Sequence, residues 1–368
     1  MRLQDLATPC LVLDRGILDR NLSSMSARMR RHGVAFRPHL KTAKSAEIAR
    51  RAISGEAGGI TVSTLAEAEY FAACGFRDIT LAVGITPAKL ERAAAMVTSG
   101  TRLTLLTDDP DTAAAIAAHP APLRALIEID SGECRGGVAP DGGALRVLGR
   151  ALGSRLAGVL THAGHSYAGR TPEDMVRIAE HERSAAVRAA WALRAAWLPC
   201  EVVSVGSTPT ACHARKLDGV TEVRAGVYMF NDLFQAEIHS CTRSDLALTV
   251  LASVIGRRPG TNRIILDAGA LALSRDRSTA ATSHDAGFGL VWDLAAEPRY
   301  GNCRIEAAYQ EHGVATGDAP LPFDELRVGT RVRVAPNHAC TTAAAYDRYF
   351  VVDGGDEIVE EWERKNGW

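Results

Sequence analysis

Two lysines follow closely on a short apolar run, in the segment RPHLKTAK at residues 37–44. Lys41 comes just past VAFR (34–37), which reads as a strand, and Lys44 lies where the chain is expected to enter a helix. Burial of a lysine at the end of a strand, as at the mouth of a β/α barrel, disfavours the ammonium form and lowers its pKa. A neutral amine can form a Schiff base with an aldehyde, so Lys41 is the candidate for covalent chemistry. The alternative is a solvated turn lysine without a chemical role.

The turn GSTPT (206–210) leads from an apolar strand toward a helix. The backbone N–H groups and hydroxyls of Gly206, Ser207 and Thr208 form a natural cradle for a phosphate. In barrel enzymes, phosphate sites commonly follow strands seven and eight, which is where this turn lies. Tyr228, after the eighth strand, could add a phenolic donor. The alternative is an ordinary polar loop, since many loops have this composition.

Further polar residues follow the predicted strands. They are His39, Asp130, Arg135, His162, His165, Tyr167, Tyr228 and Asn231. Arg135 can be a fixed donor to a ring nitrogen or a carboxylate, or it can form a surface ion pair with Asp130 or Glu133. His162 and His165 can stack on a ring or hydrogen-bond to it, and a structural role is the alternative for each. Because barrel enzymes place their sites at the C-terminal ends of the strands, this concentration indicates a site.

The late segment PNHAC contains His338 and Cys340, two residues apart after a strand. Alternate residues of an extended chain point the same way, so both side chains could bind one metal ion. An imidazole and a thiolate are good zinc ligands, and a catalytic zinc keeps positions open for water and substrate. In QEHG (310–313), Glu311 or His312 could reach the same site, and a surface β-turn is the alternative.

Eight short apolar runs, of the kind that forms parallel strands buried on both faces, alternate with alanine-rich helical stretches. The predicted strands are VAFR (34–37), GITVST (60–64 at its core), DITLAV (78–83), RLTLLT (102–107), LRALIEID (123–130), LAGVLTH (156–162), EVVSVG (201–206) and TEVRAG (221–226). Several of the helical stretches end at glycine, as helix C-termini prefer. Eight evenly spaced units favour a (β/α)8 barrel over an open doubly wound sheet.

The pattern changes near residue 245, where β-rich runs follow one another without long helical stretches. They are LALTVLASVIGRR, RIILDAGAL, RIEAAYQEHGVAT, RVRVAPNH and RYFVVDG. This succession predicts an antiparallel β domain, and TPCLVLD near the start is a strand candidate that pairs with it. The predicted domains are therefore a barrel at 12–244 and a β domain formed by 1–11 and 245–368.

The 368-residue composition is that of an ordinary soluble globular protein, with 46% apolar and 23% charged residues. A formal net charge of −1 gives no field to attract nucleic acid or an anionic membrane. No apolar run approaches the ~20 residues of a membrane helix, and we expect no signal peptide from the composition of MRLQDLATPC. The eight cysteines form no CxxC pair, which favours a reducing cytoplasm over a disulfide framework.

In this order, RPHLKTAK, GSTPT, EHG and PNHAC resemble the fold-type III pyridoxal-phosphate enzymes of the D-serine dehydratase and D-threonine aldolase group. The resemblance spans nearly the whole chain and implies an alanine racemase-like barrel, a C-terminal β domain and a homodimer. It implies that Lys41 binds the aldehyde of pyridoxal 5′-phosphate. Residues implied around the cofactor are His39, Arg135, His162, Tyr167, Gly206, Ser207, Thr208 and Tyr228. His338 and Cys340 match the ligands of Zn2+, or of Mn2+ or another divalent metal.

Two motifs distinguish the relatives. D-threonine aldolases tend to have His-x-Asp at the metal pair and GGGTG at the phosphate, whereas His-x-Cys and GSTPT here are closer to D-serine dehydratases. The motif KTA departs from the usual KTH or KAH at Ala43. The leading hypothesis is a zinc-assisted dehydratase of D-serine or D-threo-3-hydroxyaspartate, and the second is a D-threonine-type aldolase. The third is a non-catalytic pyridoxal-phosphate carrier, which the C-terminal domain disfavours. A racemase is disfavoured because it needs no metal.

Overall fold

In the computed structural model, residues 1–55 and 58–368 are described. The strands of these residues are, in chain order, β1 (Cys10–Asp14), β2 (Ala35–Phe36), β3 (Ile60–Val62), β4 (Asp78–Leu81), β5 (Arg102–Thr107), β6 (Arg124–Ile129), β7 (Leu156–Thr161), β8 (Val202–Val205), β9 (Glu222–Val223), β10 (Leu248–Arg258), β11 (Arg263–Leu266), β12 (Leu290–Trp292), β13 (Arg304–Ala308), β14 (Gly313–Thr316), β15 (Arg331–Ala335), β16 (Arg348–Val352) and β17 (Glu360–Glu363).

The α-helices of the same residues are α1 (Arg15–His32), α2 (Ala46–Ala52), α3 (Leu65–Ala73), α4 (Leu90–Thr98), α5 (Pro110–Ala118), α6 (Gly143–Leu152), α7 (Pro172–Ala195), α8 (Thr208–His213), α9 (Leu233–Glu237), α10 (Ala270–Leu273) and α11 (Ala339–Ala343). Several end as predicted, at a glycine in the left-handed region. Gly33, Gly75 and Gly100 follow α1, α3 and α4 with φ of +69°, +96° and +93°. Within the described ranges, no helix is long and apolar enough to cross a membrane.

The eight predicted barrel strands are confirmed as β2 to β9, which form one parallel sheet in the order β2-β9-β8-β7-β6-β5-β4-β3. The sheet curls until its two ends meet. A parallel bridge joins His39 to Thr61, and Leu40 N–H donates to the Thr61 carbonyl at 2.8 Å. The (β/α)8 prediction is thus confirmed, and the closure lies in the RPHLKTAK segment itself.

Arg37 explains part of that unusual segment. Its guanidinium donates to both carboxylate oxygens of Asp78, at 3.0 and 3.1 Å, and to Glu222 at 2.8 Å. Asp78 begins β4 and Glu222 begins β9, so one side chain joins three strands of the closed sheet. A bidentate arginine with two partly buried carboxylates is the favourable geometry for such an ion pair.

The second sheet has the order β11-β14-β13-β12-β15-β10-β1-β16-β17, and all its pairings except β1 with β16 are antiparallel. Because β10 also pairs with β11, six of these strands form a closed ring. The predicted antiparallel domain and the pairing of TPCLVLD with it are confirmed. Two strands of this sheet are not among the predicted ones. β12 is only three residues long, and β17 has the sequence EEWE, in which Trp362 is buried.

The described chain forms two compact units. One contains residues 1–23 and 227–366, and the other contains 24–226 with 367–368. The parallel barrel belongs to the second unit and the antiparallel sheet to the first. This division places residues 12–23 and 227–244 with the antiparallel sheet, whereas the sequence predicts domain boundaries after residues 11 and 244. Those boundaries stay a prediction.

Candidate active site

A cavity of about 250 Å3 opens at the C-terminal ends of the barrel strands. Its lining brings together four of the predicted site residues: His39, Lys41, Arg135 and His162. The other lining residues are Ser63, Ala82, Val83, Gly84, Glu128, Gly136, Leu160 and Arg224. A concave pocket at this rim that contains several convergent polar groups is the typical form of a barrel active site.

Lys41 lies one residue beyond the last hydrogen bond that closes the barrel, and its side chain is exposed in the cavity. The expectation that this lysine is desolvated is therefore wrong for the chain as described. Lys44 has a different environment. Its ammonium lies 3.1 Å from the buried carboxylate of Glu67, and its backbone has a φ of +46°. Of the two lysines, Lys41 is the one that faces the cavity.

His39 and His162 contribute neutral rings to the cavity. Burial, followed by the positive charges of Lys41 and Arg224, lowers the pKa of His39 well below its ordinary value. The same causes lower the pKa of His162 to about 3. The carbonyl of Gly206 can only accept a hydrogen bond, so His162 Nδ1, 2.9 Å away, carries the proton. Both histidines can therefore contact a ring without adding a charge to it.

For Arg135 the sequence predicts either a donor within a site or a surface ion pair, and the structure shows features of both. Its guanidinium forms ion pairs with Glu133 at 3.5 Å and with Glu128 at 3.7 Å, while the residue also lines the cavity. Asp130 is not its partner, since that carboxylate accepts the backbone N–H groups of Gly132 and Cys134. Burial raises the pKa of Glu128, although Arg135 opposes the shift. Arg135 and Glu128 therefore place an exposed guanidinium beside a partly buried carboxyl group.

Arg224 lines the cavity but is not among the residues predicted from the sequence. Its guanidinium is 3% exposed, donates from Nε to Ser204 Oγ at 2.8 Å, and also donates to the Thr161 carbonyl. Ser204 in turn donates to Glu222 at 2.7 Å. These bonds fix a buried cation in the cavity wall. The signal was the alternation of Glu222 and Arg224 within a strand otherwise apolar, which puts both on one face.

Internal hydrogen bonds fix the conformation of the GSTPT turn. Ser207 N–H donates to Thr210 Oγ1 at 3.1 Å, and Ser207 Oγ accepts from Thr210 N–H at 3.3 Å and lies 3.0 Å from Ser166 Oγ. Gly206 has a φ of +137°, and a Cβ there would lie 2.0 Å from the Arg224 carbonyl oxygen. Only glycine fits that position. Thr208 begins α8, and the assignment of this turn to a phosphate stays a prediction.

Glu182, on α7, joins the turns after β7 and β8. Its Oε1 accepts from Ala163 N–H at 3.1 Å and from Gly206 N–H at 2.9 Å, and the side chain is 2% exposed. Burial raises the pKa of this carboxyl group, and hydrogen bonds from Thr210 and the two N–H groups oppose the shift. Glu182 therefore holds the GSTPT turn in place from beneath, without lining the cavity.

If the GSTPT turn holds the phosphate of pyridoxal phosphate as the sequence predicts, Glu182→Ala should weaken binding of that cofactor about 10-fold or more, since each buried N–H left without a partner costs about 1–3 kcal/mol. Glu182→Gln should stay near the parent value, because the amide oxygen can accept both N–H groups. Fluorescence titration with pyridoxal phosphate measures the dissociation constants. Glu180→Ala, on the exposed side of α7, is the control. Equal affinities for the alanine and glutamine variants at position 182 would contradict this role.

Besides the three residues of the GSTPT turn, two predicted tyrosines lie outside the cavity lining. Tyr167 is in a short 3-10 helix, Gly164–Ala168, after β7, and its carbonyl accepts from Arg170 at 2.9 Å. Tyr228 is buried in the 3-10 helix Val227–Met229 and belongs to the other compact unit. Neither is brought together with Lys41 by the observed lining, so their assignment to the cofactor stays a prediction.

His338 and Cys340 lie in the antiparallel unit. The extended conformation ends at His338, which caps α11, so Cys340 is on a helix and not on the extended chain expected. The thiol still hydrogen-bonds with the imidazole. His338 Nδ1 lies 3.2 Å from Asp276 Oδ2. Although burial alone lowers the pKa of His338, the bonds to Asp276 and Cys340 raise it to about 11.

This donor set fits a divalent metal. An imidazole and a thiolate suit zinc, and a carboxylate on the other ring nitrogen is the usual orienting partner of a metal-bound histidine. Within residues 1–55 and 58–368, no group of three or more histidine, cysteine, aspartate or glutamate side chains is arranged to hold a metal. Glu311 and His312 are exposed in the β13–β14 turn, which favours the surface-turn alternative for QEHG. His338 and Cys340 alone would leave coordination positions of a bound metal open.

Comparison with known proteins identifies two family matches. The family "Alanine racemase, N-terminal domain" matches residues 13–233, and "Putative serine dehydratase domain" matches residues 247–352. The chain is 47% identical to D-threo-3-hydroxyaspartate dehydratase of Delftia sp. (strain HT23), over 99% of this chain and 98% of that protein. It is 30% identical to D-threonine aldolase of Arthrobacter sp., over 97% of this chain and 91% of that protein.

A solved structure agrees with these matches. It is a cysteine-to-alanine variant of D-threo-3-hydroxyaspartate dehydratase in the metal-free form, and it is 45% identical to this chain. It superposes with a TM-score of 0.96 and covers 100% of both chains.

Proposed function

Because the chain belongs to the alanine racemase-like family of pyridoxal-phosphate-dependent lyases that includes D-threo-3-hydroxyaspartate dehydratase, we propose that it dehydrates a D-3-hydroxy amino acid. The proposed substrates are D-threo-3-hydroxyaspartate and D-serine, and the products are a keto acid and ammonia. The observation that carries the proposal is the cavity that gathers Lys41, His39, His162 and Arg135 at the strand ends. The non-catalytic carrier is set aside, since the family is one of enzymes.

The cavity residues fit pyridoxal 5′-phosphate. When bound, this cofactor withdraws electrons from the Cα of an attached amino acid and makes its hydrogen acidic. Lys41 Nζ would bind the cofactor aldehyde and, once released, would take the Cα proton as general base. His39 and His162 would contact the ring while neutral. The exposed guanidinium of Arg135 would bind a substrate carboxylate.

His338 and Cys340 would hold the metal, with Asp276 orienting the imidazole. A bound Zn2+, Mn2+ or other divalent ion supplies Lewis acidity, which makes a β-hydroxyl a better leaving group. Support for a metal comes from the donor set of this chain and from the relative solved in a metal-free form. We also propose that the protein is a homodimer, in which His338 and Cys340 of one subunit could act on the cofactor of the partner subunit. Light scattering of the purified protein measures the mass of the assembly and tests for the dimer.

A D-threonine-type aldolase is the second candidate, and the 30% identity to the Arthrobacter enzyme favours it. The same residues would serve, but a proton would leave the β-hydroxyl and the Cα–Cβ bond would break, giving glycine and an aldehyde. His-x-Cys in place of His-x-Asp favours dehydration.

A product assay separates the two functions. Purified protein loaded with pyridoxal phosphate and zinc is incubated with D-threo-3-hydroxyaspartate, D-serine and D-threonine, and each L-isomer is the control. We expect keto acid and ammonia in equal amounts, with no glycine, from the first two D-substrates. Glycine with an aldehyde as the main product would establish the aldolase. No product of either kind would contradict both functions.

A further inference from the structure

A cavity of about 950 Å3 is lined by residues of the antiparallel unit alone. Its most buried lining residues include Arg333, Trp292 and Leu246, and Ile17 and Leu294 add further apolar surface. Trp292 and Arg333 are directly paired across β12 and β15, so their side chains lie side by side on one face of the sheet. The volume is at the upper end of the ~300–1,000 Å3 typical of small-molecule sites.

Arg333 is a buried cation without a carboxylate partner. It is 3% exposed, and its Nε donates to Thr249 Oγ1 at 2.8 Å. No carboxylate of the described residues lies within 4 Å of its guanidinium. The nearby acids Asp14 and Asp293 already accept backbone N–H groups. A buried charge is normally paired, because removing it from water without a partner is unfavourable.

The other acidic residues at the cavity are largely paired elsewhere. Asp353 lies 2.6 Å from Arg15, and Asp356 lies 3.5 Å from Arg2. Of the remaining lining arginines, Arg243 pairs with Glu237 at 3.3 Å.

Within residues 1–55 and 58–368, Arg20 has no carboxylate within 4 Å, and neither does Arg333. Two lining acids, Asp14 and Glu297, have no cation within that distance in the same ranges, so the unpaired charges of the lining balance. Of the two unpaired arginines, Arg20 is exposed, whereas the guanidinium of Arg333 is buried next to the indole of Trp292.

We propose that this cavity binds a small organic carboxylate with a flat apolar body. A guanidinium pairs with a carboxylate through two parallel hydrogen bonds, and Arg333 still has both terminal nitrogens to offer. The apolar body packs on Trp292 and Leu246. The inference is independent of the proposed dehydratase activity, because it uses no residue of the cofactor cavity or of the metal pair.

Benzoate is the probe, and the test uses the full chain loaded with pyridoxal phosphate so that the cofactor cavity is filled. Ligand-observed NMR titration measures binding. We expect saturable binding of benzoate, at least 10-fold weaker binding in Arg333→Met, and no binding of the uncharged benzyl alcohol. Arg304→Met is the matched control, since Arg304 is on the same sheet but has its own partner in Asp318 at 2.7 Å. Circular dichroism verifies that the variants are folded.

Unchanged benzoate affinity in Arg333→Met would overturn the proposal, as would the absence of saturable binding to the parent protein. Tighter binding of inorganic phosphate than of benzoate, lost in the same variant, would overturn the carboxylate assignment. If Arg333→Met does not fold, crystals of the parent protein soaked in benzoate decide the question. Benzoate against Arg333 and Trp292 supports the site, and benzoate bound only elsewhere refutes it.

Discussion

Replacement of Lys41 by alanine is expected to abolish the visible absorbance of bound pyridoxal phosphate and to lower turnover by at least about 10³-fold. The magnitude follows because one amine both attaches the cofactor and acts as general base, and base catalysis alone contributes about 10²–10⁴-fold. Lys41→Arg should fail equally, since a guanidinium stays protonated and cannot form the covalent link. Absorbance spectra and single-turnover kinetics measure the two losses separately.

Lys44→Ala is the matched control, because it removes a second lysine from the same segment. Lys44 neutralises the buried carboxylate of Glu67 at 3.1 Å, so its loss should lower the free energy of unfolding by about 3 kcal/mol. The cofactor absorbance should remain. Loss of the absorbance in Lys44→Ala with its retention in Lys41→Ala would reverse the assignment of the two lysines.

The fold was predictable from the sequence because burial of a strand on both faces leaves an apolar run that is hard to mistake. RLTLLT (102–107) coincides with β5, and the other seven barrel strands lie within their predicted segments. The closure could not be predicted, since it depends on a bridge between His39 and Thr61 outside the regular strands. β17 could not be predicted either, because three of its four residues are charged and only Trp362 is buried.

The site was predictable where a side chain follows a strand and unpredictable where it lies within an element. Lys41, His162 and Arg135 follow strands, and all three line the cavity. Arg224 follows β9 directly, but the predicted strand TEVRAG (221–226) includes it, which conceals its place at the strand end. A charge in a strand buried on both faces must be paired or functional. Glu182 looks like any other glutamate in a charged helix. Only its spacing from the buried residues of α7 shows that it faces inward.

Replacement of His338 or Cys340 by alanine is expected to leave the cofactor absorbance intact while turnover falls about 100-fold or more. A Lewis acid contributes several kcal/mol to stabilisation of a leaving group, and about 1.4 kcal/mol corresponds to a factor of ten. Elemental analysis should show the metal lost from both variants. Turnover that persists fully after exhaustive chelation would remove the metal from the reaction.

The variants Asp276→Asn and His312→Ala test whether activity is lost through weaker metal binding or through general damage to the antiparallel domain. Asp276 accepts from His338 Nδ1 and therefore orients the imidazole, so its amide variant should bind metal about 10–100-fold more weakly. Excess zinc should restore the activity of that variant, whereas it should not restore His338→Ala. His312, exposed in the β13–β14 turn, should be replaceable without effect. A loss of metal in His312→Ala comparable to that in His338→Ala would show that the QEHG turn supplies a metal ligand. The prediction that Glu311 or His312 reaches the metal site would then be correct.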